Sequence, residues 1–193
     1  MVYCLGIDES NNGRFPEIHA GVFTNHSPDW RKGEFCKHRR KTLSIDSVLR
    51  ENNLNRIYRH TLTPIEHTKV LGKESLVLVS IAELIRCFFE EDIPIEATGG
   101  YDNLEKVLID GNKDQYGRDK LKELIHPYTP KIEFIPGGDK KYRIVNLADM
   151  TAYRLFRGYT TGSKSVDERL GATLLTPRLE DYVDFFRQDR RIY

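Results

Sequence analysis

Four carboxylates in this sequence sit where chemistry gathers. Asp8 ends the apolar run "VYCLGI" at residues 2–7, and Glu9 follows it directly. Glu74 opens the apolar stretch 73–91. Asp102 comes just after the apolar segment 93–97 and its two glycines. Asp149 lies within "NLADMTAYRL", where Leu147, Ala148, Ala152 and Leu155 favour burial. A buried carboxylate is costly unless it is paired, hydrogen-bonded or bound to metal. Several carboxylates brought together repel one another and retain protons, and a divalent cation neutralises them. Oxygen-only ligands select a hard ion, Mg²⁺ or Mn²⁺, over zinc. Two such ions about 4 Å apart suit in-line displacement at a phosphodiester, one making the attacking water more acidic and the other stabilising the leaving oxygen.

Each acid also has a plainer reading. Asp8 and Glu9 could be a strand end meeting solvent. Glu74 suits the first turn of a helix, where it complements the dipole. Asp102 suits an N-cap, which is compatible with facing a metal. Asp149 could pair with Arg143, Arg154 or a backbone amide. Clustering at a strand mouth favours metal binding for Asp8 and Glu9, and apolar neighbours favour it for Asp149.

The elements that must position these groups follow from hydrophobic periodicity. Residues 2–7, 17–24 and 34–43 read as three strands in an antiparallel meander. Residues 44–60 carry Val48, Leu49, Ile57 and Tyr58 at helical spacing. The stretch 73–91 is the clearest amphipathic helix. A strand at 93–97 and a short helix at 102–111 follow, with Gly111 as its stop. A helical piece at 119–128, a strand at 131–136 and a helix at 143–159 complete the core order. Helix-separated strands imply parallel pairing with right-handed crossovers. The expected fold is an α/β mixed sheet of five strands, three antiparallel and two parallel, flanked by helices. Its 193 residues form one expected domain, 1–193, with 160–193 as a C-terminal helical appendage. The apolar stripe Leu179, Tyr182, Val183 and Phe186 at 177–191 suits packing on the body, with a homo-oligomer interface as the alternative.

With Asp8 on strand one, "KESLVLVSIAEL" on the first long helix, "GGYDNLEKV" after strand four and "NLADMTAYRL" on the last core helix, the chain resembles the ribonuclease H-like superfamily of nucleases. The opening "GIDES" also looks like the "DEAG" start of ribonuclease HII, and "DES" with a late "LAD" looks like poorly described members of the superfamily. The resemblance covers about residues 2–158. It implies that Asp8, Glu74, Asp102 and Asp149 are catalytic and hold two metals. A second mapping rests on "LIDG" at 108–111 and "PGGD" at 136–139, which resemble later acidic motifs of ribonuclease HII. It nominates Asp110 and Asp139 with Asp8 and Glu9. The chain departs from ribonuclease HII after "DES", where "NNGR" replaces the "GRG" that reads the RNA–DNA junction.

Composition bounds the partners. A formal net charge of +1 excludes a global basic field, so any nucleic-acid surface is local. The most basic stretch, "WRKGEFCKHRRK" at 30–41, offers Trp30, Arg31, Lys32, Lys37, Arg39 and Arg40 for phosphates and base stacking. Its plainer role is a charged edge strand. Lys140 and Lys141 add positive charge near the proposed site. Cys4, Cys36 and Cys87 lack metal-ligand spacing and read as reduced thiols of a cytoplasmic protein. His19, His26, His38, His60, His67 and His126 show no ligand spacing either. No stretch is long and apolar enough for a membrane span. The expectation is a metal-dependent nuclease using Mg²⁺ or Mn²⁺, leaning to single-stranded nucleic acid and exonuclease action because the junction-reading glycines are absent. Ribonuclease H activity on RNA–DNA hybrids is the alternative. A non-catalytic nucleic-acid-binding domain and a small-substrate phosphohydrolase are rivals of other classes.

Overall fold

The computed structural model describes residues 2–10, 15–25, 29, 56–90, 103–162 and 171–189. Strands β1 (Val2–Ser10), β2 (Glu17–Thr24) and β3 (Arg56–Thr63) pair antiparallel in sequence order. Helix α1 (Lys73–Glu90) follows a short 3-10 turn, Ile65–Lys69. Then come β4 (Asn103–Asp110), α2 (Gln115–Leu124), β5 (Lys131–Ile135), a single turn α3 (Gly138–Lys141), α4 (Arg143–Thr161), β6 (Thr173–Leu175) and α5 (Leu179–Asp189). The sheet has the spatial order β5-β4-β1-β2-β3-β6. β4 runs parallel to β1, β5 to β4, and β6 to β3.

The expected mixed α/β sheet is therefore present, with six strands among the described residues where five were read. Two assignments change. Residues 56–60, expected to end a helix, begin β3. Their side chains alternate: Tyr58 and Leu62 enter one core, while Ile57 packs on the other and Thr63 meets Ser80 of α1. That period of two, with Thr-rich composition, is a strand pattern. Residues 103–110, expected to be helical, form β4, an interior strand between β5 and β1. Leu104, Val107 and Leu108 mimic a helical stripe, but a parallel strand covered on both faces is apolar on both. The expected strands at 34–43 and 93–97 lie outside the described residues, as does Cys36. Cys4 and Cys87 form no disulfide among the described residues.

The two faces of the sheet carry separate cores. Leu5, Ile7, Phe23, Val107 and Ile109 pack against α1. Ile18, Ala20, Val22 and Leu108 pack against Ile144, Val145, Leu147, Ala148 and Leu155 of α4. Each such fully buried aliphatic side chain contributes about 1.5–3 kcal/mol. Gly6 decides how closely α4 approaches β1. A Cβ at Gly6 would lie 2.7 Å from the carbonyl carbon of Ile144. Only glycine permits that backbone-to-backbone distance.

α5 closes the α1 side. Leu179, Val183 and Phe186 pack on that core, and Tyr182 is buried in it. The Tyr182 hydroxyl donates to the Glu83 carboxylate and accepts from Arg86 at 3.0 Å. The C-terminal stripe thus packs on the body. Among the described residues no helix is long and apolar enough to cross a membrane.

Candidate metal centre

The site forms where the pairing of β1 with β4 ends. The parallel register pairs Ile7 with Ile109, so the next residue on each strand is an aspartate, Asp8 beside Asp110. Neighbouring strands lie about 4.8 Å apart, and residues in matched register share a face. Gly6 and Leu108, two residues earlier, both meet α4, so Asp8 and Asp110 project to that side.

The segment after β5 brings in more acid. Gly137 adopts a left-handed conformation, φ 66°, and turns the chain into α3. The Gly138 amide then donates to Asp110 Oδ1 at 2.6 Å. Asp139 follows within the same turn, and α4 starts two residues beyond the exposed Lys140 and Lys141. Asp149 is half-buried on α4.

Asp8 records how these groups meet. It is 7 % exposed, and its carboxyl is pushed up to about 9. Burial is the main cause; Asp149, Asp110 and Asp139 then oppose its charge in that order, against one favourable hydrogen bond from the Glu9 amide. That amide donates to Asp8 Oδ1 at 2.7 Å. A buried carboxyl facing three others is protonated until a cation neutralises the set. The donors are all oxygens, which fits Mg²⁺ or Mn²⁺. Among the described residues no three acidic, imidazole or thiol groups stand close enough to hold an ion by themselves. Mg²⁺ needs only one or two carboxylates, because it keeps several waters and completes its shell with substrate phosphate.

The remaining site residues divide clearly. Glu9 projects to the opposite face of the sheet, 3.4 Å from His19 Nε2. Glu9, Asp8, Asp110, Gly111, Asn112 and Lys113 line a cavity of about 110 Å³. Glu74 is exposed in the first turn of α1 and lines a different cavity of about 650 Å³, with Ser75, Asp114 and Tyr116. It is not among the groups that shift Asp8. Asp102, and Trp30, Arg31, Lys32, Lys37, Arg39 and Arg40 of the basic stretch, lie outside the described residues. Asp29, immediately before Trp30, forms a β-bridge with Tyr142 at the foot of α4. His19 and Lys113 were not marked in the sequence as site residues. Only strand register, which spacing does not reveal, sets His19 opposite Glu9.

No protein-family profile matches the chain, and no curated protein matches it. Solved structures do. Ribonuclease HII from Archaeoglobus fulgidus, solved in complex with PCNA, is 17% identical with a TM-score of 0.56; the match covers 87% of this chain and 77% of that one. A variant of Bst ribonuclease HIII is 13% identical with a TM-score of 0.54, over 82% of this chain and 55% of that one. At such identities the likeness concerns architecture: the chain has a ribonuclease H-like fold.

Proposed function

We propose that the protein is a divalent-metal-dependent nuclease that cleaves the RNA strand of RNA–DNA hybrids. The observation that carries this is that Asp8 and Asp110 each follow the last paired residues, Ile7 and Ile109, of adjacent parallel strands, with the charges of Asp149, Asp110 and Asp139 opposing that of Asp8. Asp8 and Asp110 would hold the ion. Asp139 and Asp149, on the α4 side, would hold it or its waters. Bound there, Mg²⁺ or Mn²⁺ supplies charge for the scissile phosphate and a more acidic attacking water. The chain's own residues do the rest. The Gly138 amide fixes Asp110, and the Glu9 amide fixes Asp8. Lys140 and Lys141 stand exposed one turn from the acids and would take flanking phosphates. Asp29, which precedes the basic stretch in sequence, bridges Tyr142, the residue after Lys141. Fold likeness to ribonucleases HII and HIII supports a hybrid substrate over a single strand.

The test is incubation of end-labelled RNA–DNA hybrid, single-stranded DNA, duplex DNA and RNA with Mg²⁺ or Mn²⁺. Internal cleavage of the RNA in the hybrid is expected. A ladder shrinking from one end of single strands would favour the exonuclease instead. Binding of nucleic acid without cleavage in either metal, unchanged by Asp8→Asn, would make the protein a binding module.

A further inference from the structure

The face of the sheet opposite Asp139 and Asp149 carries a buried polar group that the proposed chemistry does not use. Glu9 and His19 are direct partners in the antiparallel register of β1 and β2, and His19 is in turn opposite Thr61 of β3. Such cross-strand neighbours have Cβ atoms about 4.5–5.5 Å apart. Gly21, on the same face of β2, meets Leu84 of α1, so His19 and Glu17 also project toward α1. His19 is 2 % exposed and Glu17 1 %. Burying an imidazole under a helix is costly unless it is used. Its Nε2 lies 3.4 Å from Glu9 Oε2, longer than an ideal hydrogen bond but an electrostatic contact. Neither ring nitrogen makes a hydrogen bond among the described residues, and the Glu9 carboxylate lies within ion-pair distance of Nε2.

Glu9 itself is a long side chain, 41 % exposed, on the lip of the cavity that Asp8 and Asp110 also line. Among the described residues, Lys73 and Lys113 act on it only through their charge. The contact with His19 is the main influence holding the Glu9 carboxyl below its ordinary range.

We propose that His19 is a positioning residue for Glu9. From beneath α1 it holds the Glu9 carboxylate at the lip of the cavity that Asp8 and Asp110 also line, where Glu9 would take a water of the ion that they bind. This rests on the reading that Asp8 and Asp110 bind a divalent cation. It assigns Glu9, held by the imidazole, the outer-partner role around a metal ion, whose loss costs about 10–100-fold in metal affinity.

The test is Mn²⁺ binding by calorimetry to the full chain and to two polar variants. The His19→Gln amide nitrogen falls where Nε2 stood and still reaches Glu9. The His19→Asn amide nitrogen falls where Nδ1 stood and does not. H19Q is expected to keep wild-type affinity and H19N to lose about 10–100-fold. In a Glu9→Gln background, H19N should add no further loss. Equal affinities for H19N and H19Q, or an equal H19N loss with and without Glu9→Gln, would overturn the role of His19. Wild-type protein that binds no Mn²⁺, or binds it as tightly after Asp110→Asn, would instead overturn the metal centre, and this inference with it.

Discussion

Asp8 and Asp110 lie side by side where the pairing of parallel β1 and β4 ends, one residue beyond the paired Ile7 and Ile109. A sheet fixes such a pair more firmly than any loop, because each strand is held from both sides. Metal affinity should depend on both. Asp110→Asn should lower Mn²⁺ affinity and hybrid cleavage by more than about 100-fold, above the cost of losing an outer partner. Glu74→Gln, exposed and lining another cavity, should leave affinity within error. Calorimetry on both variants checks this. The reverse order would restore the set Asp8, Glu74, Asp102 and Asp149.

Stability of the metal-free protein should fall as pH rises. The folded carboxyl of Asp8 stands at about 9, against about 3.9 in an unfolded chain. Between those values the folded state binds the extra proton, so the contribution is full below about pH 4 and is lost as pH passes about 9. Added Mg²⁺ should oppose the trend, since ions displace protons from their ligands. Thermal melts in EDTA from pH 5 to 9 read this directly. In EDTA at pH 8, Asp8→Asn should gain about 1 kcal/mol, or about 2–4 °C for a domain of this size. A melting temperature flat with pH in the wild type would refute the crowding of acids around Asp8.

Gly6→Ala tests how α4 is seated. Its new methyl would meet Ile144 backbone at 2.7 Å, and backbone cannot swing away as a side-chain tip can. Overpacking of this kind costs about 1–3 kcal/mol. Denaturant unfolding should show that loss. Because α4 carries Asp149, activity should fall further than the folded fraction does.

Tyr182→Phe tests the docking of α5. It removes the hydroxyl shared by Glu83 and Arg86 and should cost about 1 kcal/mol, read by the same unfolding experiment. Metal affinity should not change, since α5 meets the other face of the sheet.

The sequence revealed the frame better than the site. β1, β2, β5 and the helices α1, α4 and α5 show their own periods, and Asp8 and Asp149 stood out because apolar neighbours make a carboxylate conspicuous. β4 was hidden. Asp102 and Gly111 imitate a helix cap and stop, and its apolar residues serve two cores at once. The better signal was repetition: "LGID" and "VLID" end alike because they end side by side. That likeness marks Asp110 as the residue beside Asp8. The partnership of Glu9 with His19 is a matter of register between strands, which no single-strand pattern encodes.

The most direct measurement is anomalous diffraction from crystals soaked in Mn²⁺. The account predicts a peak between the carboxylates of Asp8 and Asp110, on the α4 side of the sheet. A peak elsewhere, or none at these residues with the site open to solvent, would contradict it.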